Sequence, residues 1–552
     1  PPHSTLKPAS ASSNVNSLKR FARTPLATAA LLAIFAFPTA HALPTSYDGA
    51  SSSHDLSSSI EEQFPESIDP NTQYDKTYTG SEEDQKSLTK KWPITGSGTG
   101  IPLSLVPFDL STDTTAKKLK VSSMDGIEGF IFANYLGDKA APVTADGGLL
   151  HIQLDNRTQG SQPFTTAGID IQDLGTLSNV STVALSSGGA LNNQLFIQDS
   201  AVTLETQGQP RQGWSASAVN VLNPTGAISG NTAVVDNSAI LYDEGSDGFS
   251  QTRIRIGAVN VDIVNNSNPI DISSNQLWIR ESQLDINSLY AVYVKNSWTQ
   301  ATANTNSVYV SDSVLRVNPY ADGNHVEGIY TVRAASTANN NWLELANNSL
   351  TVLACQTPTP LFITAVVAVE SAYDNTLIVR DSDITSGSTI YFMAGSADVL
   401  ADAVLASGNA VFIGSTNKDD KMTISYTQDS IGTFVYGGRV YSTDTATTVD
   451  ASNNSVSIAN LSVNNNSVIR AGRVWGDGAN GTSNGNSLSI TDSVFSGRLK
   501  LNGGSVASST SQGAATGKAN DNLISVSGIE VQDAEFIVGQ TKNGEASGNQ
   551  LT

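Results

Sequence analysis

The chain of 552 residues contains one cysteine, Cys355, five histidines and three methionines. A single cysteine excludes an internal disulfide framework, so the fold must be held by packing. Cys355 itself reads as a small buried hydrophobe. There is no second cysteine and no histidine pair at helical spacing with which to build a zinc site. Calcium-binding Gly-Gly-x-Gly-x-Asp repeats and a Gly-x-Ser-x-Gly nucleophile elbow are also lacking. No catalytic residue, no metal site and no cofactor is therefore expected, and His151, between Leu150 and Ile152, reads as a solvent-facing strand residue. Cations are scarce too: 30 Lys and Arg face 51 Asp and Glu, for a net charge of −21. Beyond residue 42 no Lys/Arg cluster occurs, so nucleic acid is not an expected partner. No apolar run reaches eighteen residues, and no transmembrane helix is expected.

What the chain has is one phrase, repeated. Asn-x-Φ-x-Φ-x-(Asp/Asn)-Ser-x-Φ, with Φ apolar, reads Asn275-Gln-Leu277-Trp-Ile279-Arg-Glu281-Ser282-Gln-Leu284 and Asn306-Ser-Val308-Tyr-Val310-Ser-Asp312-Ser313-Val-Leu315. A third clear copy is Asn375-Thr-Leu377-Ile-Val379-Arg-Asp381-Ser382-Asp-Ile384, and others begin at Asn193, Asn231, Asn341, Asn454, Asn486 and Asn522, with a degraded one at Asn409. Start points are 38, 44, 31, 35, 34, 34, 45, 32, 36 and 27 residues apart, the last step ending at Asn549. A constant phrase with drifting insertions is the signature of a solenoid. Positions three and five are apolar and position four is free, the period of a strand with one face buried. The Asp/Asn-Ser pair supplies a turn, because Asn and Asp tolerate the left-handed region and hydrogen-bond nearby backbone. Position ten returns to the core as Val202, Ile240, Leu284, Leu315, Leu350, Ile384, Val463, Phe495 or Val531.

These units predict an all-β chain: a right-handed parallel β-helix, or β-solenoid, with a disordered N-terminal leader. With Gly 45, Pro 19 and abundant Asn and Ser, long helices are disfavoured. One helical excursion is expected, capped by Ser396, carrying Val399, Leu400, Ala403 and Val404, and ended by Gly408.

The ends differ from the middle. Lys19, Arg20 and Arg23 precede the apolar run Leu26 to Phe37, then Pro38 and the small-residue site Ala40-His41-Ala42. Residues 1–42 therefore read as a signal peptide, and the chain as exported. Residues 43–100 read as a disordered Ser-rich and acidic leader, residues 101–192 as an irregular first part of the β-helix, and residues 193–552 as its repetitive part. The last four residues, Asn549-Gln-Leu-Thr552, start another copy, so the natural product is expected to continue past a truncation in mid-coil.

The signal run ending at Ala42, the repeated Asn phrase and the segment Val435-Tyr-Gly-Gly-Arg-Val-Tyr441 together resemble the passenger of a bacterial type V autotransporter, over roughly residues 100–552. The resemblance implies a pertactin-like β-helix, passage through an outer-membrane β-barrel expected in the missing C-terminal part, and a place at the cell surface or outside the cell. It implies an adhesin or self-association role, the partner being a host surface or matrix component or the same protein on neighbouring cells. Poverty in cysteine suits a chain threaded unfolded through a pore.

A binding face can be nominated from the fourth positions, which read Phe196, Val234, Trp278, Tyr309, Glu344, Ile378, Phe412, then Ser457, Ser489 and Ser525. Stacked on successive coils, Phe196, Trp278, Tyr309, Ile378 and Phe412 would make a long apolar ladder. Exposed, it would be a partner-binding surface; covered by inter-copy insertions, it would be packing. The rival function is a secreted β-helical polysaccharide hydrolase or lyase, which needs carboxylates near Arg or Lys along one groove. Its candidate cluster is Asp243, Glu244 and Asp247 followed by Arg253 and Arg255, read first as a solvated turn.

Overall fold

In the computed structural model the described residues are 68, 71–78, short stretches within 104–185, and 188–552 without the excursions at 205–212, 243–252, 264–268, 296–300, 320, 323–324, 355–358, 399–402, 430, 443–447, 477–479, 508–515 and 542. The signal run and Cys355 lie outside them, as does most of the leader. Within the leader, Lys76–Tyr78 is a strand that pairs with Lys118–Ser122.

The architecture is the parallel β-helix. The strand of each Asn phrase pairs in parallel with the same strand one copy on, giving a sheet of 14 strands from Lys76–Tyr78 to Gln550–Leu551; a second sheet of 33 strands takes up the remainder of each coil. Among the described residues the two sheets are joined only by turns, and the one antiparallel pair is the small ribbon Ala321–Asp322 with His325–Val326. Register in the first sheet is kept copy to copy: Leu195, Ala233, Leu277, Val308, Leu343 and Leu377 form one column, all buried. Ile197, Val235, Ile279 and Val310 form a second, two residues on. Both belong to the main core, as do the position-ten residues of the second sheet from Ile240 to Phe495. Each such Leu or Ile, fully removed from water, contributes about 1.5–3 kcal/mol.

The leading Asn of the phrase is structural as well. Asn275 donates from its backbone N and its Nδ2 to Asn306 Oδ1, both at 3.0 Å, and Nδ2 also reaches Ile228 O at 3.1 Å. The same pattern links Asn193 to Asn231, Asn231 to Asn275, Asn306 to Asn341, and onward to Asn549. A buried amide chain satisfies its own donors and acceptors, which is what burial of polar groups requires.

Two left-handed residues bracket the first-sheet strand of every full copy of the phrase from Asn193 to Asn522 except the degraded one at Asn409. Position seven has positive φ, for example Glu281 at 47° and Asp312 at 50°, as the Asp/Asn preference predicts. The residue before the Asn is also left-handed, for example Ser274 at 57° and Thr305 at 53°.

Where a helix from Ser396 to Gly408 is expected, the described residues form strands, Val399 and Leu400 lying outside them. Ser396 belongs to the strand Ile390–Asp398, and Ala403–Ser407 is a strand that pairs with Thr448–Asp450. Val404 and Ala406 pack with Ala397, Val440, Val449 and Val474 in a second core, so a helical spacing was outcompeted by a strand's burial. The degraded copy at Asn409 keeps its register through Ile424. Its turn is lengthened by residues 415–421, which explains why the phrase is hard to read there.

Candidate functional site

Within the long strands of the second sheet, strict alternation slips by one residue at a fixed place. Tyr436 pairs with Arg470 and Gly438 with Gly472, while Gly437 and Ala471 between them drop out of the ladder. The slip leaves Tyr436 and Arg439, three apart, on the same outer face, with Arg470 and Arg473 beside them on the next coil. It recurs at Tyr290 and Tyr293, whose rings lie 5.4 Å apart. Side chains three apart that meet on the outside mark a concave bend. Glycine is required on its inner side: a Cβ on Gly438 would stand 2.2 Å from Ala406 O and 2.4 Å from Asn454 Oδ1.

Two groups fill this bend. In the first, Arg255 pairs with Glu327, and the guanidiniums of Arg255 and Arg333 lie 5.2 and 4.9 Å from the Tyr293 ring. Burial alone would lower Arg255; Glu327 and Tyr293 outweigh it, so its pKa is raised and the charge is secure. This group is internally neutralised in part.

The second group is not. Arg470 Nη1 and Arg473 Nη1 donate to Tyr436 Oη at 2.7 and 3.0 Å. Guanidiniums of Arg439, Arg470 and Arg473 sit 5.9, 5.5 and 5.8 Å from the Tyr436 ring, and that of Arg473 4.0 Å from Trp475. Among the described residues none of the three has an acidic partner. Arg439 Nε, and Asn502 Oδ1 opposite Arg470 on the next coil, are buried without hydrogen-bond partners. Burial, with Arg470 and Arg439 adding to it against Tyr436, lowers Arg473 to about 10, so it stays charged at neutral pH but under strain.

Alongside runs an outward ladder of half-buried rings. Phe362 stacks on Tyr391 at 5.0 Å and Tyr391 on Phe434 at 4.8 Å. A cavity of about 360 Å³ opens beside it, lined by Tyr391, Phe434, Ile431, Asn466 and Val468 among others. The arrangement joins a concentrated positive charge to an apolar wall, which suits an anionic ligand with a flat apolar body.

The stripe nominated from the sequence is in register but covered. Phe196, Trp278, Ile378 and Phe412 are buried and Tyr309 is half-buried. Trp278 stacks on Tyr309 at 4.1 Å, and Ile68 and Tyr74 of the N-terminal segment pack on the group formed by Leu149, Phe196, Val234 and Trp278. The row is thus buried, and the residues described as packing on this group, Ile68 and Tyr74, come from the N-terminal segment and not from inter-copy insertions. His151 in the same row is not solvent-facing: it is 6% exposed and its Nδ1 meets Tyr74 Oη at 2.8 Å. Asp243, Glu244 and Asp247 lie outside the described residues, as does the side chain of Arg253; Arg255 pairs with Glu327.

The arginine group was missed although a signal was present. Val435-Tyr-Gly-Gly-Arg-Val-Tyr441 returns 34 residues later as Ile469-Arg-Ala-Gly-Arg-Val-Trp475, which at coil spacing stacks Arg on Tyr and Arg on Arg. Comparison with protein-family models, with curated proteins and with solved structures found no match.

Proposed function

We propose that the chain is the binding part of an exported β-helical protein displayed at the cell surface in the manner of an autotransporter passenger. It acts as an adhesin, attaching its cell to a host surface or matrix component, or to neighbouring cells, through the bend of the second sheet. The observation that carries this reading is the meeting of Arg439, Arg470 and Arg473 around Tyr436 with no acidic partner among the described residues. Clustered, partly desolvated cations are costly unless compensated, and here the chain's 51 acidic residues supply no described partner. A partner's anion would complete the site. The test is attachment of cells displaying the chain: replacing the three arginines by Gln should abolish attachment with display unchanged. Equal attachment by both would sink the reading.

A polysaccharide hydrolase or lyase is the second reading, and Glu327 favours it. Its carboxylate is buried beside Arg255 and among Tyr290, Tyr293 and Tyr330 in the same bend, and its Oε2 is without a partner. Release of sugar fragments that disappears in Glu327→Gln would establish it.

A further inference from the structure

The bend also indicates what kind of molecule would be bound. We infer that its ligand is an acidic polysaccharide whose ring-borne anionic groups, carboxylate or sulfate, seat against Arg439, Arg470 and Arg473 while its sugar rings lie along the Phe362–Tyr391–Phe434 wall. The inference rests on the binding role proposed above and adds a ligand class to it.

Three features of the site lead there. First, the charge is made of guanidiniums, planar forks that bind carboxylate or sulfate through paired N–H donors. Tyr436 Oη takes one donor each from Arg470 and Arg473, and Arg439 Nε is unused. Second, the site is extended rather than a pocket for one ion. Tyr391 and Phe434 lie one coil apart and half-exposed, Tyr441 and Trp475 continue the aromatic character on the other side of the arginines, and the cavity beside Phe434 is of a size typical of ligand sites, roughly 300–1,000 Å³. A free phosphate or small carboxylate would leave that wall unused.

Third, the rest of the chain selects against densely charged polymers. At a net charge of −21 it repels polyanions at a distance, and a duplex nucleic acid would need a basic track that the sequence lacks. Attraction is confined to one short stretch of the bend. A sugar chain with an anion on some of its rings can present one or two charges there and neutral rings elsewhere. Both groups of the bend lie on one register column, from Ser217 through Gly257, Tyr290, Tyr330, Thr364 and Met393 to Tyr436, which is itself buried, so contact with a polymer falls to the partly exposed side chains beside it: Arg439, Arg470 and Arg473 and the rings of Phe362, Tyr391 and Phe434.

The test is calorimetric titration of the whole chain with a hyaluronan oligosaccharide, which carries a carboxylate on alternate rings, a κ-carrageenan oligosaccharide, which carries a sulfate on alternate rings, a neutral dextran oligosaccharide and a DNA duplex. Binding of at least one acidic sugar, none of dextran, and a tenfold or greater loss in Arg470→Gln/Arg473→Gln is expected; which acidic sugar binds tells carboxylate from sulfate. Tyr391→Ala, which removes a ring of the wall and keeps all three arginines, should weaken sugar binding severalfold while circular dichroism is unchanged and the unfolding midpoint stays within a few degrees of the parent. Binding of DNA in preference to both sugars, no binding of either sugar, or unchanged affinity in the folded double variant would overturn the inference. Cells that attach without competition by acidic sugars would retain the adhesin reading and lose this one; sugar binding without any contribution to attachment would do the reverse.

Discussion

Tyr436 Oη accepts from Arg470 Nη1 at 2.7 Å across two adjacent coils, and Arg473 Nη1 reaches the same oxygen at 3.0 Å. One neutral acceptor thus holds two cations, with Arg439 over the same ring. A group kept for stability would lose stability on truncation. A group kept for binding, and strained by like charge, would not. Arg473→Gln is therefore expected to change unfolding free energy by no more than about 1 kcal/mol, in either direction. Urea unfolding measures it, and a loss of several kcal/mol would assign the arginines to the fold.

The asparagine ladder carries the opposite expectation. Asn306→Ala removes the acceptor of Asn275 N and Nδ2 and the donor to Ile272 O and Asn341 Oδ1. Buried groups left unpaired make the loss about 3 kcal/mol. Asn306→Asp should cost more at neutral pH, because it sets a carboxylate oxygen against the same acceptors. Unfolding midpoints in urea for the two variants decide the order.

Thr305 and Asn340 occupy the same place on successive coils, both with φ of 53°. A β-branched residue is strained there, whereas Asn tolerates the left-handed region. Thr305→Asn is expected to stabilise by about 1 kcal/mol, and Asn340→Thr to destabilise by about as much. Thermal unfolding of the pair checks both signs.

His151 makes the N-terminal segment sensitive to acid. Burial first, then Lys120, lowers its pKa from 6.5 to about 4, with Asp199 opposing. The folded form therefore resists protonation that the released form accepts. Its contribution is fully present above about pH 6.5 and is lost as pH falls towards 4, by roughly 3 kcal/mol in all. Hydrogen-exchange protection factors at residues 74–78, corrected for the intrinsic rate at each pH, should fall over that window, and His151→Leu should remove the fall.

Much of this fold was legible in the sequence because the repeat is strict where the physics is strict. Leu277 and Ile279 must enter the core, Asn275 must continue the amide ladder, and Glu281 stands where the backbone turns left-handed. The alternation of strand residues also placed Trp278 and Tyr309 on one row, but not what lies over that row: Ile68 and Tyr74 come from a segment about two hundred residues earlier, and no local pattern announces that contact. The strand at Ala403–Ser407 was misread because Val399, Leu400, Ala403 and Val404 fit a helical spacing, while the partners that favour a strand, Val449 and Val440, lie on the next coil. The arginine group stayed hidden for a related reason. Arg439, Arg470 and Arg473 look isolated along the chain, and only the slip in alternation turns them towards one another.

The most direct test is a crystal structure of the chain with a hyaluronan oligosaccharide bound. Sugar density is expected along Tyr391 and Phe434, with a carboxylate within hydrogen-bonding distance of Arg470 and Arg473. Sugar seated elsewhere on the coils, or a bend left without density at saturating ligand, would contradict it.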